Sequence, residues 1–277
     1  MTVRAALART AEMLAARGVD TPSVDAELLL AHILGLSRTA LLLSGERELL
    51  PDGEARLAAL AERRGRREPL AYILGSWGFR RLELKVDRRA LIPRPETETV
   101  VERCLALLRD RQRPLVLDVG VGSGAIALAL ADEHSGAEVV AIDKEPEALA
   151  LAGENLRAVG LGGRVRLLEC DLADGIPGGP YDLVVSNPPY VTEAEFGGLQ
   201  SEIRAWEPRA ALVGEGLHEA LAEATLDVLK PGAWIVLEVG DGQAERVAAS
   251  LRDCGYAGVR ISRDLTGRDR VVEGRRA

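Results

Sequence analysis

The chain has 277 residues, 47% hydrophobic and 28% charged, with a net charge of −8 at neutral pH. That length and apolar content suffice for one full-sized core and a smaller second one, so two domains are expected. No stretch approaches the ~20 uncharged apolar residues of a membrane span, and Met1-Thr2-Val3-Arg4-Ala5-Ala6 has no apolar export signal, which together point to the cytoplasm.

Residues 1–74 carry apolar side chains at helical spacing. The first helix runs from Val3 to Ala16 and stops before Gly18. Thr21 is set to cap the second, with Pro22 at its first position and a stripe of Leu28, Leu29, Ala31, His32 and Ile33 that Gly35 ends. A further helix spans about 52–64 and a short one about 69–74. Helices of this length are marginal singly, so a small N-terminal bundle is expected over 1–74. From Gly75 to Val86 the apolar spacing changes, and Trp77, Phe79, Leu82 and Leu84 mark a hairpin. Leu91-Ile92-Pro93-Arg94-Pro95-Glu96-Thr97-Glu98 then closes a linker segment, 75–95, stiffened by two prolines; it is either a plain spacer or one wall of a pocket.

A third segment, 96–277, opens with a helix from Glu96 or Thr97 through Leu108. Strands are expected at 115–119, 138–142, 164–169, 181–186 and 233–239, with helices at 124–132, 146–159, 215–229 and 243–252 between them. Such alternation belongs to an α/β, doubly wound, Rossmann-like sheet. A last pair of strands, about 256–262 and 269–274, is separated by Thr266-Gly267-Arg268-Asp269 and reads as antiparallel. In such a sheet ligands sit beyond the carboxyl ends of the strands, near the switch in strand order. Gly120, Asp143, Asp171 and Asn187 all fall at that edge.

Two motifs there carry chemistry. Gly120-Val121-Gly122-Ser123-Gly124 joins a buried strand to a helix, where glycines allow a tight turn and bare main chain for a ligand at the helix N-terminus. Nineteen positions after Gly124, Asp143 ends the next apolar run, and its carboxylate can accept two ribose hydroxyls. An adenosine cofactor suits this unit, although Gly120, Gly122 and Ala125 equally satisfy the dinucleotide pattern of a nicotinamide dehydrogenase. Ser186-Asn187-Pro188-Pro189-Tyr190 separates the two. Asn187 offers a side-chain carbonyl and Pro188 a main-chain carbonyl, so two acceptors face one planar NH2 group. Both proline rings fix φ before anything binds, and Tyr190 adds a flat face for stacking. Asn-Pro is also an ordinary turn signal. Taken with the glycine loop, however, the run favours S-adenosylmethionine as cofactor and methyl transfer to a planar nitrogen.

Charge is uneven, with 16 Lys+Arg against 12 Asp+Glu over residues 1–94 and 19 against 31 over the rest. Most of the positive excess lies in Arg56 to Arg94, either a solvated face or a surface steering an acidic macromolecule. The acidic remainder is a poor host for duplex DNA, whose affinity rests on neutralising phosphates. Cys104, Cys170 and Cys254 lie outside any C-x-x-C spacing, and His32, His134 and His218 match no ligand pattern, so neither disulfides nor a metal are expected.

The chain resembles, over nearly its whole length, the HemK/PrmC family of protein-(glutamine-N5) methyltransferases. The resemblance is carried by Pro69-Leu70-Ala71-Tyr72-Ile73-Leu74-Gly75, the Ile92 to Glu98 run, the glycine loop, Asp143, Asn187 to Tyr190, Glu207-Pro208 and Arg263-Asp264-Leu265. Asn-Pro-Pro-Tyr alone is shared with DNA adenine methyltransferases; the Pro-Arg-Pro-Glu-Thr run is far more specific. The resemblance implies cofactor contacts from Gly120, Val121, Gly122, Ser123, Gly124, Asp143, Asp171, Leu172 and Asn187. It implies substrate contacts from Asn187, Pro188, Pro189 and Tyr190, with Asn187, Pro188 and Tyr190 catalytic. The implied substrate is the glutamine of the Gly-Gly-Gln motif in class I peptide chain release factors, gripped partly by the N-terminal bundle. A ribosomal protein and, further off, a nucleic-acid adenine remain alternatives, and no membrane or sequence-specific nucleic acid is expected as a partner. Leu172 stands where relatives often carry an aromatic, and Gly78 where they tend to carry an acid.

Overall fold

The structure, a computed structural model, describes residues 1–277. In chain order the elements are α1 (Val3–Ala16), α2 (Pro22–Leu34), α3 (Arg38–Leu43), α4 (Pro51–Gly65), α5 (Leu70–Leu74), β1 (Ser76–Phe79), β2 (Leu82–Lys85) and α6 (Thr97–Leu108). Then follow β3 (Leu115–Val119), α7 (Ala125–Glu133), β4 (Glu138–Asp143), α8 (Pro146–Val159), β5 (Val165–Glu169) and β6 (Tyr181–Ser186). The chain ends with α9 (Glu193–Phe196), α10 (Ser201–Trp206), α11 (Leu217–Leu226), β7 (Leu229–Glu238), α12 (Ala244–Asp253), β8 (Tyr256–Arg263) and β9 (Asp269–Arg276).

Backbone packing divides the chain into two units, one of residues 1–76 with 200–206, the other of 77–199 with 207–277. The smaller unit is a helical bundle whose core joins Val3 and Ala6 of α1, Leu29 and Leu30 of α2, Leu41 of α3, Leu57 and Ala61 of α4 and Ile73 of α5. Its one buried arginine, Arg64, donates from Nε to Asp25 Oδ2 at 2.6 Å and from Nη1 to Glu202 Oε1 at 3.1 Å, tying α10 to the bundle. Arg67 adds donors to Ser201 Oγ and Glu202. Thr21 occupies the N-cap position of α2, with Pro22 after it, but its hydroxyl makes no capping bond. Its hydroxyl donates to Asp25 Oδ1 at 2.7 Å instead, and Asp25 thereby serves both Thr21 and Arg64.

The larger unit is built on a seven-stranded sheet in the order β5-β4-β3-β6-β7-β9-β8. β3 pairs in parallel with both β4 and β6, so the strand order reverses between β3 and β6. β9 runs antiparallel to β7 and β8, bringing the C-terminal pair into the same sheet. Alternation along the strands explains the layers. Val116, Val139, Leu183, Val185 and Val236 pack one way with Val100, Val101 and Cys104 of α6 and the apolar length of α7. Leu117, Val140, Val184, Ile235 and Leu237 pack the other way with Leu221 of α11 and Val247, Ala248 and Leu251 of α12. Burial on both faces is what makes these strands near-continuous apolar runs.

Most expected elements are present within a few residues. β7 begins at Leu229 rather than at 233, because a register shift against β6 between Tyr181 and Leu183 lets the strand carry Pro231 and Gly232. The preceding helix is correspondingly shorter than 215–229. Helices α3, α9 and α10 were not expected; each is at most 6 residues, too short to show a period. Five arginines of the basic stretch are drawn into ion pairs, while Arg56, Arg66 and Arg81 stay largely in solvent. Arg63 pairs with Glu68, Arg64 with Asp25, Arg80 with Glu133, Arg89 with Asp87 and Glu154, and Arg94 with Glu207. No helix is long and apolar enough to cross a membrane, and no cluster of His, Cys, Asp and Glu could hold a metal ion.

Candidate active site

A cavity of about 300 Å³ opens at the carboxyl ends of β3, β4 and β6, at the reversal of strand order. Its lining includes Gly120 to Ser123, Asp143, Asp171, Leu172, and Asn187 to Pro189, together with Leu91 to Arg94 of the proline linker. Glu207 fixes that linker, accepting from the Ile92 main-chain N–H at 3.1 Å and from Arg94 Nη2 at 2.5 Å. The linker is thus a wall of the cavity.

The glycine loop is pinned by its own N–H groups. Gly120 and Val121 donate to the Ile142 carbonyl at 2.8 and 3.0 Å, and Gly122 donates to Asp143 Oδ2 at 2.9 Å. Gly120 holds φ at 79°, and a Cβ there would meet nothing within 4 Å, so a side chain would stand in space that the loop keeps clear. Asp143 Oδ1 accepts from the Glu145 N–H at 3.0 Å, which sets the carboxylate plane and leaves lone pairs on both oxygens. Asp171 is exposed, and its Oδ1 accepts from the Ala173 N–H at 3.0 Å as the cap of a 3-10 turn over Leu172–Asp174.

Asn187 and the two prolines follow Ser186, the last residue of β6, without a break. Ser186 Oγ donates to the Val119 carbonyl at 2.7 Å and locks the ends of β6 and β3 together. Asn187 Nδ2 donates to Thr97 Oγ1 at 3.3 Å, which leaves the carbonyl end of the amide for the cavity that Asn187 lines. Tyr190 is fixed by the loop after β7. Gln243 Nε2 donates to its carbonyl at 2.9 Å, and a Cβ on Gly240 would lie 2.9 Å from its ring. Burial pushes the Tyr190 phenol up to about 12, so it stays protonated near neutral pH.

Of the residues expected at the site, Gly120 to Ser123, Asp143, Asp171, Leu172, Asn187, Pro188 and Pro189 line one cavity. Gly124 instead starts α7 at φ 92°, and Tyr190 supports from behind rather than lining the cavity. Sequence reasoning missed the supports. Asn155 of α8 accepts from the Lys85 N–H and donates to the Lys85 and Ser123 carbonyls, at 2.7, 3.0 and 2.8 Å. Asp118 accepts from the Ala127 N–H at 3.0 Å at the start of α7, with its other oxygen buried and unpartnered. Each lies within an apolar periodic stretch, where the only available signal was a polar residue on a buried face.

An adenosine-bearing sulfonium suits these residues: bare main chain at the helix N-terminus, a fixed carboxylate for ribose hydroxyls, and an apolar wall from Leu172 and Ile142 for a purine. The seven-stranded sheet with one reversed strand and this glycine loop defines an S-adenosylmethionine-dependent methyltransferase. Residues 5–75 match the family model of the PrmC N-terminal domain and residues 102–203 that of the methyltransferase small domain. The chain is 44% identical over its full length to the release factor glutamine methyltransferase of Deinococcus radiodurans, covering 99% of that protein. It is 42% identical to that of Geobacter sulfurreducens, covering 99% of this chain and 96% of the relative. The fold is also similar to that of a methyltransferase from Pyrococcus furiosus, with a TM-score of 0.51 at 20% identity, covering 71% of this chain and 89% of that one. The chain belongs to the release factor glutamine methyltransferase family.

Proposed function

We propose that this enzyme methylates the side-chain amide nitrogen of the glutamine in the Gly-Gly-Gln motif of class I peptide chain release factors. The observation that carries the reading is the Asn187 amide, anchored through Nδ2 on Thr97 so that Oδ1 is offered to the cavity beside Pro188. Full-length similarity to relatives named release factor glutamine methyltransferase supports it.

When bound, S-adenosylmethionine supplies a methyl group already activated on sulfonium. Gly120, Val121 and Gly122, their N–H groups spent within the fold, would let it approach bare main chain closely, Asp143 would hold it with its two carboxylate oxygens, and Leu172 with apolar contact. An amide nitrogen is a poor nucleophile, since its lone pair is delocalised into the carbonyl. Asn187 Oδ1 and the Pro188 carbonyl each accept one N–H of the glutamine amide, which favours a pyramidal nitrogen and aims its lone pair. Nitrogen becomes more positive as the methyl arrives, so these acceptor bonds tighten most in the transition state. Positioning of this kind supplies up to ~7–11 kcal/mol. Tyr190, protonated near neutral pH, is no general base; outside the cavity lining, it backs the Asn-Pro-Pro turn rather than touching the amide. The neutral amide needs no base before transfer: as the S–CH3 bond breaks and the N–CH3 bond forms, the nitrogen becomes strongly acidic and releases its extra proton to solvent. In this reading residues 1–74 form the part that grips the protein substrate, and the enzyme acts in the cytoplasm.

The test is mass spectrometry of a purified release factor after incubation with the enzyme and methyl-labelled S-adenosylmethionine. Label on the Gly-Gly-Gln glutamine, absent when that glutamine is replaced, is the expected result. Label only on a ribosomal protein or a nucleic acid would overturn the substrate assignment.

A further inference from the structure

The segment from Glu207 to Gly214 is bonded at one end to the proline linker and at the other to the Asn-Pro-Pro-Tyr turn. Glu207 is 6% exposed; its Oε2 accepts from the Ile92 N–H at 3.1 Å and its Oε1 from Arg94 Nη2 at 2.5 Å. At the far end, the Leu212 carbonyl accepts from the Val191 N–H at 3.0 Å, and the Gly214 N–H donates to the Val191 carbonyl at 3.1 Å. Gly214 packs so closely that a Cβ on it would lie 2.7 Å from the Pro189 carbonyl oxygen. Between these ends the segment folds on itself, with the Ala211 N–H donating to the Pro208 carbonyl and the Leu212 and Val213 N–H groups to the Arg209 carbonyl, at 3.0, 3.0 and 2.9 Å.

The linker carries the contact onward. The Arg94 carbonyl accepts from the N–H of Thr97, the first residue of α6, at 3.1 Å, and Thr97 Oγ1 accepts from Asn187 Nδ2 at 3.3 Å. These bonds close a ring that runs from Glu207 through the linker and Thr97 to Asn187, along the two prolines to Val191, and back through residues 207–214. Pro188 and Pro189 have no N–H, so this part of the turn cannot pin itself and depends on how its two ends are held. A buried carboxylate costs stability unless its oxygens are paired, and both oxygens of Glu207 are. Glu207 is absent from the cavity lining, whereas Arg94, Thr97, Pro208, Ala211 and Val213 belong to it, so Glu207 acts through what it holds.

We propose that Glu207 is a positioning residue for methyl transfer, closing the ring that fixes the Asn187 side-chain carbonyl and the Pro188 carbonyl at one separation in the cavity. This deepens the function proposed above and rests on its reading of those two groups as acceptors. Two acceptors on neighbouring residues grip one NH2 only when their spacing and directions match it, and a misplacement of ~1 Å costs about 100-fold in rate. With the ring opened at Glu207, the linker and Thr97 are free to draw away from Asn187, whose amide then loses its anchor. The cofactor side is held by other bonds, those of Gly120 and Val121 to the Ile142 carbonyl and of Asp143 to the Gly122 and Glu145 N–H groups, and stays in place.

The test uses Glu207→Gln and Gly214→Ala, at opposite ends of the segment and both outside the cavity lining. Glu207→Gln keeps an acceptor for the Ile92 N–H but turns an NH2 toward the Arg94 guanidinium, which opens the ring there with little change of volume. Gly214→Ala crowds the Pro189 carbonyl from the other end. The first readout is the NMR signal of the Asn187 side-chain amide in protein with no cofactor added, which both variants should shift although neither residue is bonded to Asn187. The second is single-turnover methyl transfer to release factor. Each variant should lower the rate about tenfold, with the Kd for S-adenosylmethionine within about threefold of wild type by calorimetry. In an Asn187→Ala background, Glu207→Gln should cost at most about threefold more, because the two changes disable the same acceptor.

An Asn187 signal unmoved by Glu207→Gln, a rate within about twofold of wild type, a loss confined to cofactor affinity, or the full tenfold loss repeated on Asn187→Ala would each overturn the positioning role. Should Glu207→Gln not fold, Gly214→Ala decides by its own Asn187 signal and rate. Full turnover in Asn187→Ala would overturn instead the acceptor reading beneath the proposal, and the two failures are therefore distinct.

Discussion

Asn187 and Asp143 line one cavity, and in the mechanism proposed above the amide serves chemistry and the carboxylate serves binding, so their substitutions should separate the two. Asn187→Ala removes an acceptor whose value is greatest in the transition state. Turnover should fall about 100-fold or more, with cofactor affinity within about threefold of wild type, as single-turnover kinetics and calorimetry would show. Asp143→Ala removes an acceptor that is oriented beforehand by the Gly122 and Glu145 N–H groups. Its Kd for S-adenosylmethionine should rise roughly tenfold to 100-fold, with a much smaller change in turnover at saturation. Both residues are legible in the sequence, because each ends an apolar run and so falls at the carboxyl edge of a strand. Thr97 is not. It is an ordinary helix start until a separation of 90 residues is closed between it and Asn187.

Among the elements, the glycine loop depends on α8 and on the hairpin of β1 and β2 more than its own sequence suggests. Asn155 hydrogen-bonds both Lys85 and the Ser123 carbonyl, holding strand, helix and loop in one place. Asn155→Leu would leave the Lys85 N–H and two carbonyls without these partners. We expect a loss of ~2–4 kcal/mol in urea unfolding and weaker cofactor binding by calorimetry, with a smaller loss in cofactor-saturated protein. The helical pattern of α8 was readable from its apolar spacing, with Pro146 at the start and Gly160 at the end. Its one polar buried position was not, because periodicity reports which face is inward and nothing about what that face must hydrogen-bond.

For the whole molecule, two buried carboxyls set a pH dependence. Burial raises both Asp118 and Glu238 to about 7, so the folded chain keeps protons that the unfolded chain has already released. Stability is therefore lost as pH rises toward and through 7. His218, lowered by burial, acts oppositely, but mainly below its ordinary value of 6.5. Between about pH 6.5 and 8, unfolding free energy should fall by roughly 1 kcal/mol, and Glu238→Gln should show about half that fall in urea titrations. The sequence by itself determined the alternation of strands and helices, the glycine loop, Asp143 and the Asn-Pro-Pro-Tyr run, because burial on both faces and tight turns leave local patterns. Only the tertiary structure decided that the Thr21 hydroxyl bonds Asp25, that Arg63, Arg64, Arg80, Arg89 and Arg94 are spent on ion pairs, and that Thr97 stands behind Asn187. Those are contacts between distant segments, and a side chain's partner across the sheet depends on strand order and register, which no short stretch of sequence encodes.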